Sequence, residues 1–147
     1  MSSDSWSTLD DRLPRLYWRL DGEAHAAFGR YGTVLDLPAG EVVFKEGMPS
    51  IAFYVVLDGE VRLDAGGREI GRVGQDFSVG EMGLLLDAPR AGTATATKPS
   101  RLLELTRADL QRMQEKEPVW STRLYRVMAE CLAEYLHKVA KNLGPGR

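Results

Sequence analysis

The sequence predicts an α+β fold that is mainly β: a jelly-roll-like β-barrel (a β-roll) with N-terminal helices before it and a long C-terminal helix after it. Three observations predict it. Between about residues 33 and 105, short runs of alternating apolar and polar residues are broken by turn residues roughly every ten positions. That pattern suits a barrel or double-sheet jelly roll better than βαβ units. After Thr106 the apolar residues change to steps of three and four, the period of a helix. Finally, 147 residues suit one domain, so 1–147 is read as a single unit.

Residues about 7–31 read as helical but broken. Ser7 or Thr8 can cap a first helix, Pro14 interrupts it, and Asp21 can cap a second, with Glu23 placing negative charge in its first turn. The barrel, about 33–105, opens with TVLDLPAGEVVFKEG, where Pro38-Ala39-Gly40 and Glu46-Gly47 mark turns. In IAFYVVLDGEVRLDAGGREIGRV, Asp58-Gly59 between two β-rich runs predicts a hairpin, and Gly66-Gly67 predicts a second turn. The C-terminal helices, about 106–143, begin at Thr106-Arg107-Ala108-Asp109, and Pro118 suits the first turn of the longer one. That helix carries one apolar stripe of Tyr125, Met128, Leu132, Leu136, Val139 and Leu143, and a second of Trp120, Leu124, Val127, Cys131 and Tyr135. Two stripes exceed what one barrel contact needs, so a homodimer through this helix is expected.

The totals restrict function. Net charge is −2 and the basic residues are spread among acids, which argues against direct nucleic-acid contact or an acidic membrane partner. No stretch approaches the roughly 20 apolar residues that cross a bilayer. MSSDSWSTLDDRL lacks the basic start and apolar run of a secretory signal. Cys131 is the only cysteine, so no internal disulfide forms. A cytoplasmic location is therefore expected. His25 and His137 fall in helical segments and form no cluster on strands, so no metal site is expected. No phosphate-cradling GK[ST] loop, GxSxG elbow or Cys–His nucleophile pair occurs, so the chain is read as a non-enzyme without a cofactor.

One segment breaks strand logic. In GEMGLLLDAPRAGTATA, residues 80–96, Met82 to Leu86 read as a helical turn. It is opened by Gly80-Glu81 and closed by Asp87-Ala88-Pro89. A helix start presents unpaired N–H groups to an anion, and glycines at 80 and 83 let a ligand approach the backbone. Arg90, fixed after Pro89, can add a charge-assisted grip on a phosphate. Glu81 repels a phosphate and needs a donor such as a sugar hydroxyl. An Arg–Glu pair nine residues apart could also be a plain ion pair across a barrel end. The ordered glycines, proline and small residues favour the ligand reading, and phosphate plus ribose hydroxyl together fit a cyclic nucleotide.

This stretch resembles the phosphate-binding cassette of cyclic-nucleotide-binding domains. Gly80, Glu81, Met82, Gly83, Leu84, Pro89, Arg90, Ala91 and Thr93 fall on that cassette in order, and LPAGEVVFKEGMPSIAFYVVLDGEVRL resembles the family's opening strands. The resemblance covers roughly residues 8–143. It implies that Arg90 binds the exocyclic phosphate oxygens and Glu81 the ribose 2′-hydroxyl. Backbone N–H groups around Gly83, Leu84 and Ala91 would complete the cradle. It implies a lid over the base from the C-terminal helix, for which Tyr125, Met128 and Leu132 are the candidates. Gly83 and Gly92 stand where the family more often has alanine, and neither is expected to disturb the cassette. Ala91 lacks the hydroxyl that family members preferring cGMP often place there, so cAMP is the expected ligand and cGMP the second candidate. The function implied is a non-catalytic sensor whose ligand repositions the C-terminal helix. The alternative is a ligand-free interaction or dimerisation module that keeps the barrel fold.

Overall fold

The computed structural model describes residues 22–142. Helix α1 (Gly22–Tyr31) leads into strands β1 (Thr33–Leu37), β2 (Val42–Phe44), β3 (Ala52–Asp58), β4 (Val61–Ala65), β5 (Arg68–Val73) and β6 (Ser78–Val79). A short helix α2 (Glu81–Leu86) precedes β7 (Thr93–Ala96) and β8 (Ser100–Thr106), and helices α3 (Arg107–Lys116) and α4 (Pro118–Asn142) follow. All strand pairs are antiparallel, in two four-stranded sheets ordered β1-β8-β3-β6 and β2-β7-β4-β5. This is the β-roll with a long C-terminal helix that the sequence predicts. The expected helical segment about 7–21, and Leu143, lie outside the described residues.

Strand β3 shows why the core has two compartments. Its first five residues, AFYVV, are all buried, the pattern of a strand covered on both faces. Phe53 and Val55 face outward from the barrel, packing with Phe28, Leu103, Leu105, Leu110, Met113, Leu124 and Met128 under the helices. Ala52, Tyr54 and Val56 face inward with Val61, Val73, Phe77, Val79, Ala94 and Leu102. Alternation along one strand thus joins the barrel interior to the helical layer.

The expected hairpin at Asp58-Gly59 needs correction. β3 pairs with β6 and β8, whereas β4 pairs with β5 and β7, so the chain at Gly59 crosses from one sheet to the other. Ser100 at the start of β8 holds that corner: its hydroxyl accepts the Glu60 N–H at 3.1 Å, and a Cβ on Gly59 would lie 2.2 Å from Ser100 Oγ. A turn dipeptide reports a reversal of the chain but not which sheet receives it. The tight hairpin instead joins β4 and β5, where Ala65 pairs with Arg68 around Gly66 and Gly67. Both glycines have positive φ, 59° and 76°, as a type I′ turn demands.

The helical layer follows its sequence signals closely. Thr106 caps α3 with a reciprocal capping box: its Oγ1 accepts the Asp109 N–H at 3.0 Å, and the Asp109 carboxylate accepts the Thr106 N–H at 2.9 Å. Pro118 opens α4, where a missing N–H costs nothing. The face α4 buries is Ser121, Leu124, Met128 and Cys131, a line drawn from between the two apolar stripes. It leaves Leu136 (65% exposed) and Tyr125 (37%) uncovered. Among the described residues, no helix is long and apolar enough to cross a membrane.

Replacing Thr106 by alanine removes one half of the capping box. The expected result is a loss of about 1 kcal/mol of stability in urea unfolding, with an unchanged denaturant slope.

Candidate functional site

Arg90 is fixed from its backbone outward. Its N–H donates to the Met48 carbonyl at 2.8 Å, and its own carbonyl accepts the Gly47 N–H at 2.8 Å, so the β2–β3 loop clamps the residue from both sides. The side chain turns inward and is only 4% exposed. Nη1 donates to the Gly80 carbonyl at 2.7 Å and Nη2 to the Ala52 carbonyl, while the guanidinium lies 4.0 Å from the centroid of the Phe44 ring. Phe44 stacks in turn on Tyr54, whose hydroxyl burial and Glu104 push up to about 12. Desolvation lowers the Arg90 pKa, opposed by Tyr54 and Glu81. Of a guanidinium's five donors the two carbonyls engage two, and the buried Nε–H has no partner. The arginine is held in place without being satisfied.

Glu81 sits at the other side. Helix α2 begins after Gly80, which has φ 90° and offers no side-chain cap. Burial raises the Glu81 pKa; its own backbone N–H, the neighbouring Ser78 hydroxyl and the Arg90 charge oppose that shift. Arg90 directs its Nη groups at backbone carbonyls instead of at this carboxylate, so the simple ion pair does not form. Among the described residues, three buried side-chain polar atoms lack a hydrogen-bond partner: Ser78 Oγ, Glu81 Oε2 and Arg90 Nε. All three residues line one cavity of about 280 Å³, near the small end of ligand-site volumes.

Seven of the nine residues expected to bind ligand line that cavity: Gly80, Glu81, Met82, Gly83, Arg90, Ala91 and Thr93. Thr93 also has a structural task, since its Oγ1 accepts the Glu46 N–H at 3.0 Å. Leu84 and Pro89 do not line it. The Leu84 side chain is in the core beneath α4, and its N–H donates to the Gly80 carbonyl at 3.4 Å; Pro89 is exposed beside the site. Of the three lid candidates, only Leu132 reaches the cavity. Met128 is in the core and Tyr125 points outward, because α4 turns the line Leu124, Met128, Cys131 toward the barrel. That rotation brings Tyr135, from the second stripe, to the cavity beside Leu132. Phe44 and Ser78 also line it and were not anticipated. Ser78 carried a readable signal, a serine within the apolar run FSV just before Gly80-Glu81.

The two glycines that depart from the family pattern sit against close neighbours. A Cβ on Gly83 would lie 2.3 Å from Ser50 Oγ, which donates to the Ala88 carbonyl and so closes the cassette loop. A Cβ on Gly92 would lie 2.5 Å from the Asp64 carbonyl oxygen of β4. At Gly92 an alanine methyl would meet fixed backbone, and at Gly83 it would force Ser50 Oγ to move from its bond to Ala88. From the far side, Arg107 at the head of α3 donates to the Leu84 carbonyl at 2.8 Å and the Ser50 carbonyl at 3.2 Å, and pairs with Asp87 at 3.3 Å.

Fold and site together define a β-roll domain with a helical cassette bracketing a buried arginine, a carboxylate and a small-molecule-sized cavity. The profile of the "Cyclic nucleotide-binding domain" family matches residues 34–117, and the chain belongs to that family. The chain is 28% identical over 131 residues to a CRP-like cAMP-activated global transcriptional regulator of Mycobacterium tuberculosis, covering 84% of this chain and 58% of the relative. It is 29% identical over 141 residues to the lysophospholipase NTE1 of Chaetomium globosum, covering 92% of this chain but 9% of that protein. Thermus thermophilus catabolite activator protein superposes with a TM-score of 0.74 at 28% identity, over 88% of this chain and 61% of the other. The chain therefore spans less than two thirds of the length of these relatives.

Two outcomes follow for the ligand-free protein. Gly83→Ala lowers the melting temperature, and Ser50→Ala in the same background, by removing the Oγ that the new methyl meets, recovers part of the loss. Glu81 has a folded-state pKa above its unfolded value, so its contribution favours the fold below the ordinary carboxylate range and is lost as pH rises through the raised value. In thermal melts from about pH 4 to about pH 7, Glu81→Gln should therefore gain on the wild type as the pH rises.

Proposed function

We propose that the protein is a non-catalytic cyclic-nucleotide sensor, with cAMP the favoured ligand and cGMP the second candidate. The observation that carries this reading is the convergence of three buried, unpartnered polar atoms, on Ser78, Glu81 and Arg90, around one cavity. Leaving such an atom unpaired costs about 1–3 kcal/mol, and a site that keeps three suits a ligand that completes them. An anion suits Arg90, and a hydroxyl donor suits an ionised Glu81. A cyclic nucleotide carries both on one rigid sugar-phosphate ring. The name of the cAMP-activated relative supports cAMP, as does the methyl of Ala91 where a hydroxyl would favour guanine.

In this reading the ligand shifts a population. Phosphate capture orders the cassette, and Leu84 transmits the change because it shares one core cluster with Leu124 and Met128 of α4. Leu132 and Tyr135 then close over the base. The output surface is the uncovered side of α4, which carries Tyr125 and Leu136 and serves as a homodimer contact in the cytoplasm. Nucleic acid and membrane are not partners in this reading.

Calorimetric titration with cAMP and then cGMP, on the wild type and Arg90→Ala, tests it. The expected result is cAMP binding tighter than cGMP, with the variant losing about 2–5 kcal/mol. No heat with either nucleotide would favour the ligand-free dimerisation module instead, and binding indifferent to the variant would refute the site.

A further inference from the structure

We propose that Ser78 is a positioning residue for Glu81: once a ligand is bound, its hydroxyl donates to the carboxylate and holds it, as an ionised acceptor, against a sugar hydroxyl. The inference rests on the cyclic-nucleotide reading above and goes one residue deeper into it.

Ser78 opens β6 and pairs with Val55 of β3, so its backbone is fixed by the sheet independently of the cassette. It is 5% exposed and lines the cavity, yet its Oγ has no partner. Three residues on, Glu81 Oε2 is equally buried and equally unpartnered. The two atoms are complementary: a hydroxyl can donate, and an ionised carboxylate can only accept. A serine left idle between the buried Phe77 and Val79 is a cost to the fold unless something uses it. Even without a formed hydrogen bond, the nearby Ser78 hydroxyl favours the charged form of Glu81 against the effect of burial. The charged form is a strong acceptor on both oxygens, and so can take one hydrogen bond from Ser78 and another from a ribose 2′-hydroxyl. Without the serine the carboxylate loses its one local donor side chain and is free to rotate or to pick up a proton, and the ribose contact weakens. The phosphate contact at Arg90 has its own supports and is untouched.

Calorimetry with cAMP and 2′-deoxy-cAMP, on the wild type and Ser78→Ala, separates these contacts. The wild type should prefer cAMP, and Ser78→Ala should weaken cAMP binding about threefold to tenfold while leaving 2′-deoxy-cAMP binding unchanged. The ligand-free variant should melt no lower than the wild type, because it loses an unsatisfied hydroxyl and no formed bond. Equal weakening of both nucleotides together with a lower melting temperature would mark Ser78 as merely structural and overturn the proposal. So would unchanged binding of both. Failure of the cyclic-nucleotide reading looks different, as no heat from the wild type with cAMP, and the proposal falls with it.

Discussion

A guanidinium buried in a small β-barrel constrains everything around it. Arg90 is the buried cation of this site, and burying a charge without partners is prohibitive. The fold answers with two backbone carbonyls, an aromatic face and a clamped backbone. The Gly80 carbonyl is available because the chain turns there with φ 90°, and the Ala52 carbonyl because β3 begins there. Phe44 comes from the far sheet. One side chain thereby ties the cassette to both sheets, and the left-handed turn at Gly80 and the closeness of Phe44 follow from that requirement. These partners position the guanidinium without exhausting its donors, and among the described residues its buried Nε–H has no partner.

The cassette is joined to the helical layer by two contacts of different character. Leu84 enters the core under α4, an apolar burial worth about 1.5–3 kcal/mol. Arg107 collects the carbonyls of Leu84 and Ser50 and the carboxylate of Asp87 at the C-terminal end of α2. Asp87 there adopts φ 51°, so the helix ends in a strained residue whose side chain is engaged by α3. Leu84 and Arg107 thus give α2 one apolar and one polar attachment to the helical layer.

Much of this was legible in the sequence, for identifiable reasons. Thr106, Asp109 and Pro118 act within one turn of where they stand, so their roles could be read locally. The cassette could be read because its chemistry is packed into 17 consecutive residues, 80–96. The sheet change at Gly59 could not, because it is decided by Ser100 some 40 residues later. The facing of α4 was hidden for a related reason: two adjacent stripes are both apolar, and only the barrel decides that Met128 goes in while Tyr135 reaches the cavity. Gly83 and Gly92 looked like neutral replacements until Ser50 and the Asp64 carbonyl were found against them.

In the proposed function, a cyclic nucleotide completes the buried polar trio and tightens the cassette against α4. Amide hydrogen exchange with and without saturating cAMP tests it most directly. Slower exchange is expected in two stretches, residues 80–91 and residues 124–135, with the outer strand β1 unchanged. Binding that leaves the cassette amides exchanging as fast as before would contradict it.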